Sequence, residues 1–225
     1  MKKILFITLT FLSLNAFAKK EKVYRIKMET SMGTMVLRLY NETPLHRDNF
    51  LAKTKTHFFD SLLFHRVIKS FMIQGGDPES KHAKAGQALG NGEAPGGRIP
   101  AEFKTDLYIH KKGALAAARD GNPEKASSNC QFYIVQGKTF TEDELNKMGQ
   151  RSGVKYTQEQ KDLYKTIGGT PHLDNNYTVF GEIESGMDVL DKIAAVQTAP
   201  GDRPLQDVRI IKCTIIKPKK KFLFF

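Results

Sequence analysis

Over residues 23–40 apolar and polar positions alternate, with Met35, Leu37 and Leu39 on one parity and Val36, Arg38 and Tyr40 on the other. Ser31-Met32-Gly33 supplies a turn in the middle, so this stretch predicts a β-hairpin. Thr43-Pro44 then offers an N-cap and a proline at the first helical position. The helix is expected to run to about Thr56 and to bury Leu45, Phe50 and Leu51. Residues 62–68 and 71–74 read as short strands with Lys69-Ser70 at the bend, and Gly75-Gly76-Asp77-Pro78 ends the second. Residues 77–98, rich in Gly, Ala and Lys, read as a long loop. Apolar runs follow at 113–118 and 131–136, joined by a polar turn, and another strand at 177–183. Ser185 is placed to cap a helix through about Val196, with Met187, Leu190, Ile193 and Ala194 on one face. Residues 208–216 make the last strand. Many short strands with two separated helices imply a mainly β fold, an antiparallel barrel with helices over its open ends. Closure would remove the sheet edges.

Residues 137–170 break this pattern. The segment turns charged and helical, and Thr141-Glu142-Asp143-Glu144 and Thr157-Gln158-Glu159-Gln160 both fit the capping box. Gly168-Gly169 stops the second helix. About thirty residues bury too little surface to fold alone, so this is expected to be a helical-hairpin insertion on the barrel.

The termini change the picture in a different way. Lys2 and Lys3, the apolar run 4–14 and Ala16-Phe17-Ala18 form the three parts of a secretory leader over 1–18. The run is well short of the roughly 20 apolar residues a bilayer span needs. The expected mature chain is therefore exported, periplasmic or secreted, with the folded domain over 19–216. Thirty-five Lys and Arg against 24 Asp and Glu give a net charge of +11. Loss of Lys2 and Lys3 brings this to about +9, a surplus that can signal nucleic acid or an anionic surface. Here the cations are interspersed with acids, the pattern of a solvated surface, and no nucleic-acid partner is expected. The tail 217–225, basic and then aromatic, allows at most weak membrane-surface contact. Cys130 and Cys213 each fall in a strand expected to be buried, which favours free thiols even though export permits a disulfide.

The candidate chemistry lies in the middle of the chain. Phe64-His65-Arg66-Val67-Ile68, followed by Phe71-Met72-Ile73-Gln74-Gly75-Gly76-Asp77, resembles the signature of the cyclophilins. Gly113-Ala114-Leu115-Ala116-Ala117-Ala118, then Gln131-Phe132-Tyr133-Ile134, then Leu173-Asp174 with Val179-Phe180-Gly181 continue the resemblance in order, from about Val23 to Ile216. The first block is highly specific, and the others gain weight from their sequence. The resemblance implies a closed eight-stranded antiparallel β-barrel capped by two α-helices, acting as a monomeric peptidyl-prolyl cis-trans isomerase on proline-containing polypeptides. It also implies roles for residues. Arg66 would be catalytic, with Gln74 beside it. Phe71, Met72, Tyr133 and Leu173 would form the proline pocket, Gln74 and Gln131 would bond substrate backbone, and Ala118 and Tyr177 would line the groove. Phe132 would point into the core. Animal members often carry tryptophan where His172 stands and histidine where Tyr177 stands, which weakens the expectation of binding the family's cyclic-peptide inhibitor. The insertion falls between Tyr133 and Leu173 and is expected to flank the groove.

Duller readings compete residue by residue. Phe71, Met72 and Leu173 taken singly are ordinary core residues. Arg66 could pair with an acid such as Asp77, and His65 suits packing better than acid–base chemistry. Strand parity puts Phe64, Arg66 and Ile68 on one face and Met72 with Gln74 on one face, yet sets Phe71 opposite. The six histidines show no metal-ligand spacing and no glycine run has a phosphate-loop setting, so neither metal nor cofactor is expected. The alternative function is a chaperone module that binds proline segments, with incidental isomerisation. Binding alone would need only the pocket, and the arginine favours the enzyme.

Overall fold

The computed structural model describes residues 22–217. The leader expected over 1–18, and the tail beyond Lys217, lie outside the described residues. Eight strands occur where alternation or apolar runs predict them: β1 Tyr24–Thr30, β2 Gly33–Leu39, β3 Arg66–Ile68, β4 Met72–Gly75, β5 Ala114–Ala117, β6 Phe132–Val135, β7 Val179–Ser185 and β8 Ile210–Ile216. Four helices accompany them: α1 Pro44–Lys55, α2 Glu142–Ser152, α3 Gln158–Thr166 and α4 Met187–Ala194.

The strands form one antiparallel sheet in the order β3-β4-β6-β5-β7-β2-β1-β8. The expectation of a closed barrel is corrected here. The sheet is an open half-barrel whose end strands, β3 and β8, share no ladder. A strand over 62–68 would have closed it, but only Arg66–Ile68 pairs regularly. Across the seam stand one bridge, Leu63 to Arg209, and a few single bonds. Phe64 N–H donates to the Val208 carbonyl (2.9 Å) and Ile210 N–H to the Leu62 carbonyl (2.8 Å). Further along β8 a side chain replaces the missing strand, since Cys213 N–H donates to Asp60 Oδ1 (2.9 Å).

Period two divides the sheet into two apolar faces. Ile26, Met28, Met35, Leu37, Val67, Ile73, Leu115, Phe132 and Ile134 point into the half-barrel, where Phe50 of α1 and Val189, Leu190 and Ile193 of α4 join them. Phe132 is core, as the resemblance implies. Full burial of each such side chain contributes about 1.5–3 kcal/mol. The opposite face carries Met72, Ala114, Ala116, Tyr133, Val135 and Val179.

Two helix details differ from expectation. Leu45 is 49% exposed, because the inward stripe of α1 runs His46, Phe50, Thr54 at i, i+4, i+8. The buried His46 ring is satisfied by Glu102 (2.7 Å) and Ser127 (3.0 Å). Ser185 belongs to β7, not to a cap, and Gly186 in the left-handed region precedes α4, which ends at Ala194.

Two helices occupy the charged segment, each opened by a capping box. Thr141 Oγ1 accepts from Glu144 N–H (3.3 Å) while Glu144 accepts from Thr141 N–H (2.7 Å). Thr157 and Gln160 repeat the arrangement. The segment's neck depends on glycine, since a Cβ on Gly137 would meet the Gly169 backbone at 2.4 Å. A bridge between Lys138 and Gly169 closes that neck, and one between Gly169 and Lys111 ties it to the segment that leads into β5.

Candidate active site

The register of the short strands assembles the site. Arg66 pairs with Gln74, Gln74 with Tyr133, and Tyr133 with Ala116, so the four form a row across β3, β4, β6 and β5. In the neighbouring row Ile68 pairs with Met72 and Met72 with Val135. Because the ladder fixes parity, Arg66, Gln74, Met72 and Tyr133 share the outer face.

Phe71 joins them because parity fails at the bend. Ser70 is left-handed (φ 61°), its N–H donates to Gln136 Oε1 (2.7 Å), and Phe71 N–H returns to the Ile68 carbonyl (3.1 Å). The turn swings Phe71 onto the Met72 side, where it packs with Leu173 and Tyr177 in the outer cluster. Leu173 arrives on a short 3₁₀ turn, Pro171–Leu173.

Arg66, Phe71, Met72, Gln74, Ala118, Tyr133, Leu173 and Tyr177 line one hollow of about 400 Å³. Gln131 does not reach this hollow. It lines the adjoining, more polar one of about 550 Å³, which shares Gln74, Gly90, Asn91, Ala118 and Arg119 with the first. The two are halves of one groove. Gln131 accepts from Gln74 Nε2 (3.0 Å) and donates from its own Nε2 to the carbonyls of Gly90 (2.9 Å) and Gly92 (3.0 Å). Its amide donors therefore hold the loop that forms the groove's rim.

Asp77 is not the partner of Arg66. It is fully buried and accepts from the N–H groups of Glu79, Gly90 and Gly92, pinning the same loop. The acid that meets Arg66 is Asp202, whose Oδ2 accepts from Nε at 3.2 Å. Both side chains are about 40% exposed, 43% and 41%, so the pair is worth roughly 0–1 kcal/mol. It occupies one of the five N–H donors of the guanidinium.

Several groove residues escaped the sequence reading. Leu89, Gly90, Asn91 and Gly201 come from loops with no periodic signal. Arg119 lies 4.6 Å over the Tyr177 ring and donates from Nε to the Asn176 carbonyl (2.9 Å), standing between the two hollows. Its only sequence signal is its place directly after the Ala114–Ala117 strand and Ala118. His65 borders the hollow but is buried, and neither ring nitrogen has a partner. Burial pushes its pKa down to about 4, which leaves the ring neutral near pH 7. Tyr177 meets the Tyr133 ring edge-on at 5.9 Å, and His172 stacks on Phe71 at 5.6 Å.

Cys130 and Cys213 are buried free thiols, and burial raises the pKa of both. Among the described residues no cluster of three or more His, Cys, Asp or Glu is arranged to hold a metal, and no helix is long and apolar enough to cross a membrane. The groove thus offers an aromatic and aliphatic hollow, a permanent cation at its edge and amide groups alongside. It fits a small apolar ring embedded in polar backbone.

A family model described as cyclophilin type peptidyl-prolyl cis-trans isomerase/CLD matches residues 25–215. A Staphylococcus aureus protein named as a peptidyl-prolyl cis-trans isomerase is 36% identical over 187 residues, 83% of this chain and 88% of that one. A Streptococcus pyogenes protein named as a bifunctional phosphatase/peptidyl-prolyl cis-trans isomerase is also 36% identical, over 83% of this chain but 37% of its own length. Among solved structures, a Cryptosporidium parvum cyclophilin-type isomerase superposes with a TM-score of 0.66 at 22% identity, over 88% of this chain and 99% of that one. A second structure of that protein, in the presence of the dipeptide Ala-Pro, gives 0.61 at 20% identity, over 86% and 99%.

Proposed function

The chain belongs to the cyclophilin-type family of peptidyl-prolyl cis-trans isomerases, and from that premise we propose that it speeds rotation about X–Pro bonds of exported polypeptides, with Arg66 bonding the twisted imide while Phe71, Met72, Tyr133 and Leu173 hold the proline ring. The observation that carries this reading is that Arg66 lines the same hollow as those four side chains. The exported setting rests on the leader pattern at 1–18.

Rotation about a peptide bond crosses ~18–20 kcal/mol because resonance must be broken. Unaided X–Pro isomerisation takes tens to hundreds of seconds. Millisecond turnover needs roughly 10⁵-fold acceleration, about 7 kcal/mol. No covalent bond forms or breaks, so neither a nucleophile nor a general base is needed. At the twisted transition state the proline nitrogen recovers its lone pair and becomes an acceptor. A guanidinium fixed beside the ring can donate to that lone pair only then, which is differential binding of the transition state. Arginine suits the step because it stays charged and its planar fork can reach substrate oxygen and nitrogen together.

One charge-assisted hydrogen bond contributes ~1.5–3 kcal/mol, less than the total required. The remainder falls to orientation of the ring in the hollow and to an apolar setting that disfavours the more polar planar amide. Gln74, opposite Arg66 in the ladder, is suited to hold substrate backbone beside the rotating bond.

A proline-isomerisation assay on the mature chain tests this, with Arg66→Ala beside it. The variant should lose about 100-fold in kcat/KM, the kinetic equivalent of that bond, while the Kd of a proline peptide changes by less than about threefold. Equal loss of binding and rate would overturn the division of labour between arginine and hollow.

A further inference from the structure

Of the residues lining the two halves of the groove, none comes from 138–168, so the insertion does not flank it. It reaches the site from behind. Asp174 follows Leu173 in sequence and is fully buried. Its Oδ1 accepts from His110 twice, from the backbone N–H (2.9 Å) and from ring Nδ1 (2.7 Å). Its Oδ2 accepts from the hydroxyls of Tyr156 (2.8 Å) and Tyr164 (2.6 Å), one at the entry to α3 and one on it. The insertion thus supplies half of the donors that a buried carboxylate requires.

The far side of His110 leads to the site. With Nδ1 directed at Asp174, Nε2 faces the Tyr133 hydroxyl at 3.0 Å, and the Tyr133 ring walls the proline hollow. Burial, reinforced by the Asp174 charge, holds the Tyr156 and Tyr164 hydroxyls protonated, and burial does the same for Tyr133. The neck ties the same point through the backbone, since Thr170 N–H donates to the His110 carbonyl (2.8 Å).

We propose that the insertion is a positioning device for the proline pocket: Tyr156 and Tyr164 fix Asp174, and Asp174 acts through His110 to set the Tyr133 ring and through the chain to set Leu173. The inference rests on the isomerase reading above. It makes Tyr156 and Tyr164 positioning residues, since neither lines the groove.

Tyr156→Phe and Tyr164→Phe, singly and together, keep the rings but withdraw donors from Asp174. In the double variant KM and the Kd of a proline tetrapeptide, measured by calorimetry, should rise about tenfold with kcat within about twofold. In a Tyr133→Phe background the same pair of substitutions should raise KM clearly less than in the wild-type background, because the route through His110 is already cut and only the route through Leu173 remains. Thr141→Ala, which removes the N-cap of α2 without touching the hydroxyls on Asp174, is the comparison. It should lower Tm yet leave KM near wild type. Unchanged KM in the double variant, equal effects in both backgrounds, or a matching rise of KM in Thr141→Ala would each overturn the proposal. The Tyr133 ring NMR signals give a readout independent of turnover. They should shift or broaden in the double variant, and unaltered signals would overturn the positioning role even if the wild-type chain failed to isomerise, a result that by itself would count only against the proposed function.

Discussion

Arg66 and His65 are adjacent in sequence and sit in different surroundings. The guanidinium lies at the edge of the groove with Asp202, while the imidazole is buried without a partner and its pKa falls to about 4. Because arginine does not titrate below about pH 12, and His65 is neutral well above 4, kcat/KM should be flat between about pH 6 and 9. A step near pH 6.5 in the rate profile would point to a working imidazole instead. Stability should behave differently. A histidine unfolded near 6.5 and folded near 4 binds its proton preferentially in the unfolded chain, so stability falls as pH drops through that window. The loss from His65 is about 3 kcal/mol at most, and the buried His46, also shifted down by burial, acts in the same direction. Denaturant midpoints between pH 7 and 4 measure this. Replacing His65 with Gln should flatten part of the slope, and an unchanged slope would show that the ring is not held neutral. Arg66, Phe71, Met72, Tyr133 and Leu173 were legible as a set because their motifs occur in order. Asp202 was not, since 136 residues separate it from Arg66 and only the fold brings them together.

The elements were readable to the extent that local chemistry fixes them. Alternation gave the β1–β2 hairpin, and the two Thr-x-x-Glu/Gln boxes gave the starts of α2 and α3. Each box is a local device, so it can be tested locally. Thr141→Ala or Thr157→Ala should cost about 1 kcal/mol and lower Tm by about 2–4 °C, read by thermal melts, and no change would mean the insertion is held by packing alone. Leu45 and Ser185 were misread because amphipathic phase and cap position depend on which neighbour the element meets. The helix turned His46 inward to meet Glu102 and Ser127. The side on which Phe71 falls was unreadable for a similar reason. Strand parity predicts the wrong face, and a single left-handed residue, Ser70, reverses it.

Across the whole molecule, the half-barrel leaves a seam where the bonds between residues 61–64 and 208–210 stand in for a ladder. Amides on that seam, such as those of Phe64 and Ile210, should exchange with solvent faster than those of Leu115 and Ile134, which lie in the paired middle of the sheet. Equal protection would mean that the seam opens only with global unfolding. The sequence by itself determined the strands, the two-helix insertion and the ordered motifs, because alternation, capping and turn chemistry act within a few residues. The tertiary structure alone decided that the sheet stays open, that Asp202 rather than Asp77 meets Arg66, and that the insertion lies behind the pocket instead of beside it. Each of these depends on contacts between segments far apart in the chain, which no local pattern encodes.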